Sequence, residues 1–300
     1  MTAYALLAFP VFLWGGAYRA TAVAGDHASA TMVAGLRSGA AALLLVAIVP
    51  ILRVRLPRGR AALWSAVTGI LMVTLFFEGL VEGTVRAGPG NAAVLTTTSP
   101  LFVAVLARVF LAERLAAMRI LGLVGGFGGI VLMVWPQLGD AGSDLAIGIA
   151  WSLAGALGWA IGTIVIKRMT EADPALDLIG LTTIQYLIGG TLILAIALAV
   201  DGTSGTGWSS ADLWGAVTYM AVGASAIATI AFFAALKRLS ATVVSAATIL
   251  VPVVAVAIEA MRGVYPEAVV LGGIALAVGG VALVVLAPES PGEPVAQPAD

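Results

Sequence analysis

The sequence predicts an all-α polytopic membrane protein with ten transmembrane helices, and three observations carry that prediction. Apolar residues make up 61% of the chain and charged ones only 10%, against roughly 25% charged in an ordinary soluble domain. Apolar runs of about 20 residues, enough to cross the hydrocarbon core of a bilayer, recur between Pro- and Gly-containing breaks. Basic residues collect in alternate breaks, as expected where alternate loops face the cytoplasm. With a mean hydropathy of +1.07, a water-facing surface would carry large apolar patches prone to aggregation. Lipid is the expected solvent for most of the chain.

The runs place helices near 3–24, 30–52, 61–85, 89–111, 117–135, 145–166, 176–200, 211–235, 241–261 and 268–287. The first follows Met1 without a basic n-region or an A-x-A site and outlasts an h-region, so it reads as a retained helix. Pro57 separates the second and third runs, and Pro89 opens the fourth, which Pro100 interrupts. The fifth is Gly-rich and stops at Pro136; the sixth ends at Lys167-Arg168. Asp173-Pro174 and a Gly/Ser/Thr stretch at 202–210 bound the seventh. The ninth contains Pro252, and Pro266 precedes the tenth. Residues 288–300, with four prolines and three acids, read as a short disordered cytoplasmic tail.

Charge tests the count independently. With the N-terminus inside, cytoplasmic loops hold Arg53, Arg55, Arg58, Arg60, Arg114, Arg119, Lys167, Arg168, Lys237 and Arg238, ten of the fifteen basic residues. The opposite loops hold Arg86 and Arg262 beside Asp26, Asp140, Asp144, Asp201 and Asp212. One missed helix would scramble this alternation, so both termini are expected inside. Near-zero net charge (−1) argues against nucleic acid. The absence of cysteine removes disulfides and thiolate metal sites, and one histidine, His27, leaves no imidazole cluster. No metal, no cofactor and no enzymatic site are expected.

The halves echo each other at an offset of about 150 residues. Ser65-Ala-Val-Thr68 matches Gly215-Ala-Val-Thr218, and Thr98-Ser99-Pro100 matches Leu250-Val251-Pro252. The Gly-Gly-Ile-Val-Leu-Met-Val run at 128–134 matches Gly-Gly-Val-Ala-Leu-Val-Val at 279–285, and Trp14 matches Trp159. Two five-helix repeats are therefore expected, residues 1–138 and 139–287, inverted because five is odd. Inverted repeats go with alternating access around a midplane site.

Trp14-Gly15 in helix 1, Ser99-Pro100 in helix 4, Leu111-Ala-Glu113-Arg-Leu115 after it and a Gly-rich helix 5 resemble the EamA-type transporters of the drug/metabolite transporter superfamily. Ala235-Leu-Lys-Arg-Leu239 followed by a proline-containing helix 9 resembles the second EamA repeat. The resemblance covers roughly residues 5–287 and implies a ten-helix carrier that exports amino acids or other small metabolites, an aromatic amino-acid exporter being the favoured relative. One departure stands out: Gly263-Val264 occupies the position of the family's second Gly-Glu, so that glutamate's role has no carrier here.

Several residues are candidates for a substrate site. Glu78 and Glu82, four apart on one face of helix 3, could meet a substrate ammonium or a proton, since intramembrane carboxylates usually face protein or a water-filled cavity; alternatively they sit at the outer end beside Arg86. Thr98 and Ser99 flank the break at Pro100, and Pro252 breaks the matching helix, so both prolines are expected to kink or gate near the site. Trp14, Trp159 and Phe232 could wall an apolar side chain. Arg37 and Arg19 could hold a carboxylate, but snorkelling to the surface is the favoured reading for both. Glu113 reads as structural, and Gly122 to Gly129 as close helix packing. A monomeric secondary transporter in the bacterial inner membrane, moving small metabolites with protons as the candidate coupling ion, is the leading expectation. A nucleotide-sugar or cationic-drug carrier of the same fold, or a channel, is the alternative.

Overall fold

A computed structural model describes residues 3–114, 116–137 and 144–287. The expected tail, the boundary at 138/139 and Leu115 lie outside the described residues. Among the described residues, ten helices are long and apolar enough to cross a bilayer: α1 Ala3–Gly25, α2 Ala30–Leu52, α3 Arg60–Ala87, α4 Asn91–Phe110, α5 Ala117–Val134, α6 Leu145–Ala172, α7 Leu178–Val200, α8 Ala211–Leu236, α9 Ala241–Met261 and α10 Ala268–Leu286. Their outer faces expose Leu43, Val105, Leu121 and Leu286, side chains suited to lipid contact.

Side-chain caps start several of them. Ser29 accepts from the Met32 amide at the head of α2, Asp177 from Ile179 and Gly180 at α7, Ser210 from Leu213 at α8 and Ser240 from Val243 at α9. α6 runs six residues past the expected end at 166, because Lys167 does not mark a boundary. It is 5% exposed, and its Nζ donates to the carbonyls of Leu236 (2.9 Å) and Leu239 (3.0 Å), which close the C-terminal end of α8. Glu171 stands 3.6 Å away.

Cross-helix contacts fix which ends lie together. Arg55 N–H donates to Asp177, Arg168 to the Phe110 carbonyl and Lys237 to the Pro174 carbonyl, gathering the ends of α2, α4, α6 and α8 with the start of α7. This is the basic end. At the opposite end Ser29 meets Asp201 and Arg86 meets both Glu82 and Asp144. The principal pairs are α1 with α8 and α9, α2 with α7, α3 with α6 and α7, α4 with α6, and α5 with α10.

α5 and α10 meet along small residues. A Cβ added to Gly129 would lie 2.5 Å from the Ala277 nitrogen and 2.6 Å from the Gly273 oxygen. One added to Gly122 would lie 2.5 Å from the Gly280 oxygen. Backbone therefore packs on backbone, the arrangement that gives helices close approach in lipid. The Gly122 to Gly129 stretch is a packing surface.

Five spans depart from α geometry. π-helical turns occupy Ile70–Leu75 in α3, Tyr186–Gly190 in α7 and Tyr219–Ile227 in α8. α4 breaks at Thr97-Thr98, and α9 tightens to a 3₁₀ turn over Ala247–Leu250 just ahead of Pro252.

Candidate functional site

The irregular turns surround a central cavity of about 460 Å³. Its wall includes Trp14, Tyr18 and Thr21 from α1, Arg37 from α2, Phe76 and Phe77 from α3, and Thr96 and Ser99 from α4. Trp159, Tyr186, Thr229 and Pro252 add one face each from α6, α7, α8 and α9. Lining residues continue to Ala30 and Thr84, toward the end opposite the basic one.

Aromatic rings form its floor. Trp14 and Trp159 meet edge-on with centroids 5.5 Å apart, and Phe232 packs against both at 5.5 and 5.7 Å. Phe76 lies 5.1 Å from Trp159 and 5.7 Å from Phe77. Trp14 is held by its indole N–H, which donates to the Ala224 carbonyl at 2.7 Å. Ala224 belongs to the π turn of α8, and such turns leave carbonyls off the regular ladder. Beyond this floor, toward the basic end, Phe233, Leu236, Val244 and Ala246 form continuous buried core.

The basic end is tied shut by charge on backbone. Glu113, 5% exposed, accepts from the amides of Ala241 (2.7 Å) and Thr242 (3.3 Å) and from the Thr242 hydroxyl (2.7 Å). A carboxylate at a helix N-terminus meets the free amides and the positive dipole end together. Glu113 is thus a cap that links the end of α4 to the start of α9.

The candidates from the sequence are distributed unequally. Trp14, Ser99, Trp159 and Pro252 line the cavity together. Phe232 is fully buried behind the two tryptophans. Thr98 and Pro100 stand off the lining, the Thr98 hydroxyl donating to the Leu95 carbonyl at 2.6 Å. Glu82 is engaged with Arg86 at the opposite end. Glu78 is not among the lining residues, and its Oε1 is buried with no hydrogen-bond partner.

Arg37 is the residue the sequence reading undervalued. It does not snorkel: it is 8% exposed, sits in the cavity wall, and is the one charged side chain among the lining residues. Its Nη2 donates to the Ser225 hydroxyl at 3.3 Å, and its guanidinium carbon lies 4.6 Å over the Phe77 ring. A signal for this lies in the sequence. Gly35 and Gly39 flank Arg37 at helical spacing and pack on Leu194 and Ala197 of α7. At about 100° per residue, Arg37 is turned roughly 200° from Gly35, away from that contact.

Comparison with known proteins follows the same lines. The model of the EamA-like transporter family matches residues 1–135 and 146–286. The chain is 26% identical to the uncharacterized transporter YvbV of Bacillus subtilis (strain 168) over 84% of this chain and 80% of that one. It is 28% identical to the uncharacterized inner membrane transporter YedA of Escherichia coli (strain K12), over 81% and 77%. A WAT1-related chloroplastic protein of Arabidopsis thaliana is 30% identical over 84% of this chain and 61% of its own length. A solved crystal structure shares the fold with a TM-score of 0.81 over 95% of this chain and 96% of its own, at 19% identity. The chain belongs to the EamA-like transporter family and is a multi-pass membrane transporter.

Proposed function

We propose that the protein is a secondary carrier that exports small metabolites, amino acids foremost, across the bacterial inner membrane by alternating access. The observation that carries this reading is a cavity that reaches one end of the bundle and stops at an aromatic floor, with packed core and the Glu113 cap beyond it. Such a one-sided cavity suits half of a carrier's cycle, whereas a channel needs a path past both ends. Its volume of about 460 Å³ suits a ligand of metabolite size. The aromatic floor and the scarcity of charge favour an amino acid with an apolar side chain over a nucleotide sugar. Among the described residues no carboxylate lines the cavity, which weighs against a cationic drug.

The pattern of helix pairs supports a duplicated architecture, five helices per half would make it inverted, and the loop charges favour both termini inside. Exchanging each of α1–α5 with the helix five places on turns the α1–α8 pair into α6–α3 and the α1–α9 pair into α6–α4, while α2–α7 and α5–α10 map onto themselves. The π turns of α3 and α8 and the interruptions of α4 and α9 then correspond. In this reading Trp14, Ser99, Trp159 and Phe232 shape the substrate contact and Pro100 and Pro252 are the points about which α4 and α9 bend. Glu82 and Glu78 approach the pathway only in another state of the cycle, with Glu78 as the proton-coupling carboxylate. Purified protein in proteoliposomes should take up labelled phenylalanine or threonine saturably, with no such uptake into empty liposomes. Failure of every amino acid in a full panel would overturn the amino-acid assignment.

A further inference from the structure

We propose that Arg37 is the anion receptor of the cavity, binding the carboxylate of a substrate whose apolar, aromatic body lies along the rings toward Trp159 and Trp14. This deepens the carrier reading above and rests on it. A buried guanidinium in a bilayer is costly unless a counter-charge or a full set of acceptors meets it. Among the described residues no carboxylate lies within ion-pair distance of Arg37; Ser225 supplies its single hydrogen-bond acceptor, and its Nε has none. Its position about 10 Å along α2 from the first turn leaves it inside the wall, facing the cavity.

The unmet donors of a planar fork match a carboxylate, which takes two parallel N–H···O bonds. What lies beside them selects the rest of the ligand. The guanidinium stacks on Phe77, Phe77 contacts Phe76, and Phe76 contacts Trp159, with centroid separations of 5.7 and 5.1 Å for the two ring pairs. A ligand anchored at Arg37 therefore has a continuous aromatic surface leading to the floor. Among the described residues nothing of opposite charge lines the cavity to require an ammonium group. The recognised class is an aromatic monocarboxylate, with or without an α-amino group.

The test compares phenylalanine, phenylpyruvate and phenethylamine, which share a ring and differ in which charged group they carry. Binding to the purified protein in nanodiscs is read by tryptophan fluorescence and by the shift in melting temperature, with chloride and inorganic phosphate as competing anions. Both acids should bind and phenethylamine should not; R37Q should weaken the acids by about tenfold or more, as loss of a charge-assisted pair implies. R37K, which keeps charge without the fork, should fall between. The proposal is overturned if phenethylamine binds as well as the acids, if none of the three binds, or if R37Q binds the acids as tightly as the parent. It is also overturned if chloride or phosphate protects and the acids do not. Should R37Q fail to fold, the ligand comparison on the parent protein and R37K still decide. Counterflow of phenethylamine by the parent protein would sink this assignment while leaving the carrier reading standing.

Discussion

Three hydrogen bonds converge on the buried carboxylate of Glu113, all from the first turn of α9. Removing the carboxylate strands two amides and a hydroxyl in a dry site, so Glu113→Ala should cost about 2 kcal/mol, measured as a lower melting temperature in detergent. Unchanged melting would contradict the capping role. Glu78 presents the reverse situation, a buried acceptor with no donor. Glu78→Gln should abolish accumulation driven by a proton gradient and leave exchange intact; unaltered accumulation would remove it from the coupling role. The sequence marked Glu113 as structural but gave no sign of the amides that hold it, because they belong to a helix 128 residues on. Arg37 was hidden for a related reason. Its distance from the helix start fits snorkelling equally well, and only the packing of α2 on α7 turns it inward.

At the scale of helices, the apolar runs and prolines sufficed to place every span within a few residues, except the C-terminal end of α6. That end was misplaced because Lys167 reads as a loop residue until its carbonyl partners on α8 and the following linker are known. The π turns left no legible mark. Two of them are joined across spans by the Thr74 hydroxyl, which donates to the Gly189 carbonyl at 2.8 Å, a contact that no periodicity encodes. The α5–α10 seam, by contrast, was visible in its glycines. Gly129→Leu should force these helices apart and cost at least about 1–3 kcal/mol through overpacking, read as lowered thermal stability. Gly279→Ala, whose added carbon meets nothing within 4 Å, is the control and should melt like the parent. Equal melting of the two variants would refute the backbone-on-backbone seam.

For the whole molecule, the cavity and the charge lie at different ends. Basic residues gather where the bundle is packed shut, and the lining extends to the other end through Thr21, Ala30 and Thr84. If the basic end faces the cytoplasm, as the loop charges indicate, the cavity faces outward. The chain has no cysteine, so single introduced thiols report cleanly. An impermeant maleimide added to intact cells should label Thr21→Cys and not Arg58→Cys; the reverse pattern would invert the assigned orientation. Counterflow distinguishes a carrier from a pore most directly. Proteoliposomes preloaded with unlabelled phenylalanine should accumulate labelled phenylalanine transiently above its equilibrium level, because a carrier exchanges faster than it returns empty. Labelled substrate that only equilibrates, at a rate indifferent to what is inside, would contradict alternating access and favour a channel.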